Sequence, residues 1–142
     1  MGGTHIYCGL GVIDKCSPFA VTVVPGPTSH ETTEATGLPG LSNAVAGVVS
    51  TFAVQAKDTY GNNRLIGGDE LDITLTHAVS GSSFVAVVED VGDGTYVVTY
   101  TVLEAGTYTV EALYSNQPFL TKGDGTFDPA SVQASTSLLL LR

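Results

Sequence analysis

The sequence is poor in positive charge and has no tryptophan. Five lysines and arginines stand against fourteen acidic residues in a chain of 142, which gives a formal net charge of −9. Proteins that hold nucleic-acid phosphates or anionic lipid surfaces depend on clustered lysine and arginine side chains. The composition therefore predicts a protein that has no nucleic-acid partner.

Long apolar runs are also absent. No stretch of about eighteen apolar residues occurs, so the sequence predicts no insertion into a membrane. The first residues, MGGTHIYC, lack a basic region and do not resemble a signal peptide. The chain does contain 43% hydrophobic residues, seventeen glycines and many valines and threonines, a composition that favours strands and turns around one core.

The clearest strand pattern begins at the turn dipeptide Asp93–Gly94. Apolar side chains alternate along the next residues and fall on one face: Tyr96, Val98, Tyr100 and Val102. The pattern breaks at residues 104–106 and restarts, with Tyr108 in the first inward position. This spacing predicts two strands joined as an antiparallel hairpin. Tyr108 is also a candidate tyrosine corner, in which a phenol hydroxyl bonds to backbone where a β-sandwich turns.

Further segments carry strand patterns of the same kind. We predict the remaining strands at Thr32–Thr36, Thr51–Lys57, residues 71–76, Phe84–Glu89 and Ala130–Leu140. Together with the hairpin, these segments predict an all-β, antiparallel sandwich of seven strands.

Several of these residues carry a family resemblance. DGTY-x-V-x-Y followed by AGTYTV, within residues 93–110, resembles the filamin-type immunoglobulin-like repeat. Residues 46–63 are similar to that repeat's second strand and loop, and residues 35–41 to the exit from its first strand. The motifs occur in the right order, which makes them more specific than a single match. The resemblance implies a seven-stranded immunoglobulin-like sandwich with a structural role.

The first residues resemble the end of another such repeat. GGTHI and SPFAVTV are similar to a repeat's last turn and last strand, with an insert between them. We therefore expect residues 1–24 to be the fragment of a preceding repeat and residues 25–142 to be the repeat itself. Alone, Ser17–Val23 would expose an apolar row, so we predict that it pairs with this sandwich or with another copy and buries Phe19.

Cys8 and Cys16 bracket the insert. With no further cysteine and no histidine cluster, their spacing does not match a zinc site. They form either a disulfide, which would indicate an oxidising compartment, or two thiols of a cytosolic protein. The sequence favours the disulfide.

No group of residues predicts catalysis or a cofactor. The three histidines lie in unrelated segments, and no nucleophile motif is present. The loops around Asp58, Asp69 and Asp90 carry oxygen ligands suitable for calcium but lack EF-hand spacing. Aspartate, asparagine and glycine also form turns, so we predict no catalytic, cofactor or metal site.

One outward surface is unusual. If Phe84, Ala86 and Val88 face the core, then Val85 and Val87 face outward. The resemblance implies a groove between the third and fourth strands in which an extended peptide is bound through backbone hydrogen bonds. The predicted groove residues are Asp72, Thr74, Thr76, Val85 and Val87. The alternative is an ordinary sandwich surface with two exposed valines.

These observations predict a spacer or interaction module of a larger multi-repeat protein. Its partner would be an extended peptide or a neighbouring repeat. The cysteine pair and the low lysine content favour a cell-surface or extracellular adhesion protein. A rod repeat of a cytoskeletal, actin-network cross-linker is the alternative that the resemblance implies. An accessory domain of a carbohydrate-active protein ranks last, because it would need exposed aromatics, whereas the sequence has no tryptophan and most tyrosines are expected to face inward.

Overall fold

The computed structural model describes residues 18, 20–36, 40, 41, 43–119 and 131–134. All regular structure in these residues is β-strand. The strands are β1 (Glu34–Thr36), β2 (Ser50–Gln55), β3 (Leu71–His77), β4 (Ser83–Val85), β5 (Val87–Asp90), β6 (Thr95–Tyr100), β7 (Gly106–Tyr114), β8 (Gln117–Pro118) and β9 (Ser131–Ala134).

The strands form two antiparallel sheets that enclose one core. The first sheet has the order β1-β2-β6-β5, and the second has the order β4-β3-β7, with β8 and β9 both pairing with β7. Buried and more exposed side chains alternate along β3 and β6, as expected for sheets with one face on a core. The all-β, immunoglobulin-like sandwich that the sequence predicts is confirmed.

The core combines aliphatic and aromatic side chains from both sheets. Its fully buried members include Phe52, Val54, Ile73, Leu75, Tyr96, Val98, Val102, Tyr108, Val110 and Phe119. Burial of one such aliphatic side chain stabilises a fold by about 1.5–3 kcal/mol relative to exposure. The inward positions of β2, β3, β6 and β7 therefore hold the two sheets together.

The predicted hairpin between the last two long strands is wrong. β6 pairs with β2 and β5, whereas β7 pairs with β3 in the other sheet. The link between them crosses from one sheet to the other and buries Val102 on the way. Tyr108 closes this crossing, because its hydroxyl donates a hydrogen bond of 2.7 Å to the Glu104 carbonyl. That bond is the geometry by which a tyrosine corner is defined.

The predicted strand Phe84–Glu89 is two strands. β4 pairs with β3 in the second sheet, and β5 pairs with β6 in the first. The chain changes sheets at Ala86, which is buried and whose N–H donates to the Ile73 carbonyl at 2.9 Å. Both sheets face the same core, so the alternation of inward side chains continues through the crossing. With β8 added, the described residues form nine strands rather than seven.

The ends of the chain are described only in part. Of Ser17–Val23, the structure describes residues 18 and 20–23, which form no strand; Val21 and Val23 are 82% and 87% exposed. Pairing of these residues with their own sandwich is therefore wrong, and pairing with a second copy stays a prediction. Cys8, Cys16 and Phe19 lie outside the described residues. Of the predicted closing strand Ala130–Leu140, the structure describes residues 131–134, which form β9.

A buried carboxylate fixes the segment that leads into the sandwich. Asp58, 2% exposed, accepts hydrogen bonds of 2.9 Å from the backbone N–H groups of Gly26, Tyr60 and Asn62. The side-chain amide of Asn62 donates to the same carboxylate at 3.0 Å. These bonds, the Asn62 amide first, lower the pKa of Asp58 from 3.8 to about 2. Asp58 therefore connects the loop after β2 to the chain that precedes β1.

We expect Asp58→Asn to destabilise the protein in a pH-dependent way. Because its pKa is lowered in the fold, ionised Asp58 contributes stability above about pH 4 that is lost as the pH falls towards 2. Melting temperatures should separate wild type from the variant at neutral pH and converge in acid. Glu89→Gln, at an exposed carboxylate, is the control. A difference that stays constant with pH would contradict the role of the carboxylate charge.

Tyr108 should contribute to stability through both its ring and its hydroxyl. Tyr108→Phe leaves the Glu104 carbonyl without its donor and should cost on the order of 1 kcal/mol of unfolding free energy. Tyr108→Ala removes a fully buried ring and should cost about 3–5 kcal/mol. Chemical denaturation measures both values, with Tyr60→Phe at an 88% exposed ring as the control. Wild-type stability in both variants would refute the assignment.

Candidate functional site

A cleft opens between the two sheets beside the point where the chain passes from β4 to β5. Its volume is about 420 Å³. One wall is the start of β3 with the residues before it, and the other is β5. The lining residues are Asp69, Glu70, Leu71, Asp72, Val88, Asp90 and Tyr96.

The cleft exists because β4 covers only part of the edge of β3. The pairing of β3 with β4 covers Thr74–Thr76, and the bond from Ala86 N–H to the Ile73 carbonyl ends it. Residues whose backbone groups face the same side alternate along a strand. Leu71 therefore points its N–H and C=O to the same side as Ile73, beyond the reach of β4 and towards the cleft.

The other wall is an open strand edge. The Val91 N–H donates to the Thr95 carbonyl at 3.0 Å, which places Asp90 and Val88 in the non-hydrogen-bonded pairs of the β5–β6 ladder. Their backbone N–H and C=O groups point away from β6. In the described part of the chain, no strand pairs with that side of β5.

Two carboxylates at one end of the cleft are held in place by hydrogen bonds. Asp69 accepts from the hydroxyls of Thr28 at 2.7 Å and Tyr96 at 3.0 Å. Asp90 accepts from the backbone N–H groups of Gly68 at 2.7 Å and Gly92 at 2.8 Å. Gly67 passes so close to Asp90 that a Cβ atom there would overlap the carboxylate. The loop before β3 and the turn after β5 therefore meet at this end of the cleft.

The charges of this end act on Tyr96. Burial raises the pKa of Tyr96 to about 12, and the charges of Asp69 and Asp90 add to the rise. The side chains of Glu70 and Asp72 are exposed and make no hydrogen bond or ion pair with another described residue. The cleft thus carries four carboxylates, none of which forms an ion pair with a described residue.

The opposite end of the cleft is apolar. Leu71 is 8% exposed and belongs to the core, and Val88 is half-buried against it. Both side chains lie between the two sheets, and both backbones face the cleft. An extended chain that entered here would meet backbone hydrogen-bonding groups and an apolar surface together.

The five groove residues predicted from the sequence do not form one row. Asp72 lines the cleft, but Thr74 and Thr76 stand opposite Val85 and Ser83, so β4 already occupies that edge of β3. Val85 is 77% exposed on the same outer face.

The remaining groove residue belongs to the other sheet. Val87 is 69% exposed and pairs with Thr99 of β6. Sequence reasoning missed the other lining residues, which are Asp69, Glu70, Leu71, Val88, Asp90 and Tyr96. Acidic residues before β3 and after β5 were visible in the sequence, but their meeting depends on the sheet crossing at Ala86.

The tyrosine corner packs against a different group of rings. The Tyr108 ring lies 4.9 Å from His77 and 6.1 Å from Phe84, both in edge-on geometry. His77 accepts a hydrogen bond of 3.0 Å from the Ser80 N–H through Nδ1. None of these residues lines the cleft, so the corner has a structural role in the sandwich.

Two further properties concern metals and membranes. The described ranges hold no group of three or more histidine, cysteine, aspartate or glutamate side chains that could bind a metal ion. They also hold no helix with the length and apolar character needed to cross a bilayer.

Curated relatives match parts of the chain. The alpha chain of the Chlamydomonas reinhardtii flagellar outer-arm dynein is 35% identical over 78 residues, which are 54% of this chain and 2% of the dynein. The Xenopus tropicalis ubiquitin-protein ligase TRIM71 is 38% identical over 85 residues, 60% of this chain and 10% of the ligase. Mouse filamin-C is 31% identical over 102 residues, 72% of this chain and 3% of filamin-C. The chain therefore spans a small part of each relative.

Solved structures show the same fold. The Lin-41 filamin domain superposes with a TM-score of 0.63 at 15% identity and covers 78% of this chain and 98% of that domain. The Escherichia coli adhesin FdeC superposes with a TM-score of 0.57 at 29% identity over 82% of this chain and 33% of the adhesin structure.

The family model of the Filamin/ABP280 repeat matches residues 27–120, which is more than half of the chain. These residues contain both sheet crossings, the cleft and the tyrosine corner. The chain belongs to the Filamin/ABP280 repeat family.

Proposed function

We propose that this repeat is an interaction module of a larger multi-repeat protein and binds an extended peptide by adding it as a strand to β5. The observation that carries the proposal is the open edge of β5, where Val88 and Asp90 direct their backbone groups into the cleft. In strand addition, backbone hydrogen bonds supply affinity and alternate side chains supply specificity.

The cleft suits binding without catalysis. Its polar side chains are carboxylates and one tyrosine hydroxyl, and it places no nucleophile beside a base. Asp69 and Asp90 are held by hydrogen bonds, so little order has to be imposed on them when a partner binds. The same geometry supports a partner that is a peptide segment or a strand of a neighbouring repeat.

A cell-surface adhesion protein is the setting that we favour. FdeC is described as an adhesin and shares 29% identity with this chain over 82% of this chain. A disulfide between Cys8 and Cys16 would agree with an extracellular position.

A cytoskeletal rod repeat is the alternative setting. It is supported by the 31% identity to filamin-C over 72% of the chain. An intact Cys8–Cys16 disulfide, detected by mass spectrometry of the native protein, would favour the cell surface. Two free thiols would favour the cytoskeleton.

Strand addition is tested by peptide binding to the full chain of 142 residues. The probes are four acetylated and amidated peptides, TKTVTVT, TQTVTVT, TETVTVT and TVTVTKT. NMR titration should move the amide signals of Val88 and Asp90 with at least one of them. The proposal fails if none of the four moves these signals.

A backbone control identifies the type of binding. For an antiparallel strand, the first valine of the tightest peptide places its N–H against β5, whereas the N–H of the next threonine points away. Methylation of that valine nitrogen should weaken binding about tenfold or more, since it removes a hydrogen bond and crowds the edge. Methylation of the threonine nitrogen is the matched control. Equal losses would show that the peptide does not bind as a strand.

A further inference from the structure

The two ends of the cleft differ in chemistry, and the strand register places them in order. β4 and β3 pair antiparallel, with Val85 opposite Thr74 and Ala86 bonded to Ile73. If the same register is extended past the sheet crossing, Val88 lies on the side of Leu71 and Asp90 lies on the side of Asp69. The residues that line the cleft agree with that placement. An apolar end therefore lies two residues along β5 from an acidic end.

No basic side chain of the described sandwich forms an ion pair with the carboxylates of the acidic end. Lys57 forms its ion pair with Glu34, and Arg64 donates to the Gly26 carbonyl. The other three basic residues of the chain, Lys15, Lys122 and Arg142, lie outside the described ranges. A partner's positive charge can therefore interact with these carboxylates without displacing a cation of the described sandwich.

The charge of the cleft also argues against a second copy of this chain as its occupant. The chain has a net charge of −9, so the approach of a second copy to an acidic cleft is opposed by repulsion. A short extended segment with its own positive charge meets no such opposition. Charge complementarity thus favours a basic peptide over self-association.

The geometry of an added strand determines how far apart the basic and the apolar residue of a bound peptide stand. In an antiparallel strand, the residues opposite Val88 and Asp90 point their side chains inward, as those two residues do. The strand runs opposite to β5, so its chain passes Asp90 first and Val88 second. The inward side chains are separated by one residue that faces solvent.

We infer that the cleft selects a peptide in which a lysine or arginine precedes an apolar residue by two positions. This inference rests on the strand addition proposed above. The basic side chain lies against Asp69 and Asp90, with Glu70 and Asp72 at the rim. The apolar side chain packs between Leu71 and Val88 and is removed from water. The order of the two residues follows from the direction of the added strand.

Ranking of the four peptides tests the pattern. TKTVTVT should bind about tenfold tighter than TQTVTVT, because each partly exposed charge pair contributes a modest amount and several carboxylates act together. TETVTVT should bind weaker than TQTVTVT. TVTVTKT has the residues of TKTVTVT in reverse order and should lose most of the gain in affinity over TQTVTVT. Raising the salt concentration should reduce the preference for lysine, since exposed charges are screened.

Two protein variants locate the charge effect. Glu70→Gln combined with Asp72→Asn removes two carboxylates that have no partner in the described sandwich, so folding should be preserved. This double variant should bind TKTVTVT several-fold weaker and TQTVTVT unchanged. Glu111→Gln, an exposed carboxylate on β7, is the control and should change neither affinity.

The outcomes separate this inference from the proposed function. If all four peptides move the Val88 and Asp90 signals with equal affinity, strand addition stands and the basic–apolar pattern is wrong. If TVTVTKT binds as tightly as TKTVTVT, the order of the two residues is wrong and the inferred pattern fails. If no peptide reaches β5, both proposals fail.

Discussion

The hydrogen bond from the Ala86 N–H to the Ile73 carbonyl marks the place where the chain leaves one sheet for the other. Upstream of it, β4 covers the edge of β3; downstream of it, β5 pairs with β6 and presents a free edge. Because the chain departs at this point, the start of β3 pairs with β7 on one side and has no paired strand on the side of β4. The cleft is the space that this crossing leaves between the two sheets.

The crossing also explains why charge gathers at the cleft. The loop before β3 and the turn after β5 are polar for local reasons, since both must reverse or redirect the chain. The Gly68 N–H bonds to Asp90, and the Tyr96 hydroxyl bonds to Asp69, so the two segments become parts of one structure. Carboxylates that accept hydrogen bonds from a loop and a turn thereby meet at one end of the cleft.

Most of the interactions that stabilise the sandwich lie outside the cleft. The core consists of inward side chains of both sheets, and the buried hydroxyl of Tyr108 closes the second crossing. Asp58 ties the chain before β1 to the loop after β2. The cleft, by contrast, borders the core through three residues, Leu71, Val88 and Tyr96. Its rim carboxylates Glu70 and Asp72 can therefore vary with little effect on the sandwich, which suits a repeat whose relatives occur in such different proteins.

The sequence by itself determined which side chains are buried. Alternation along residues 71–77 and 95–100 predicts the inward faces of β3 and β6, and the outward positions of Val85 and Val87 follow from the same rule. Tyr108 could be singled out because a corner needs a buried ring beside a break in the pattern. These are local properties, since each depends on the cost of exposing a side chain at one position of a strand.

Only the tertiary structure decided which strands pair and where they part. Pairing β6 with β7 would bury the same side chains as the observed arrangement, so the alternation that predicted the hairpin could not distinguish the two. The division of residues 84–89 at Ala86 could not be predicted from the alternation of side chains either, because both sheets face one core. The meeting of Asp69 with Asp90 follows from that division. The cleft could therefore not be predicted from the sequence, because it depends on how two sheets close around a shared interior.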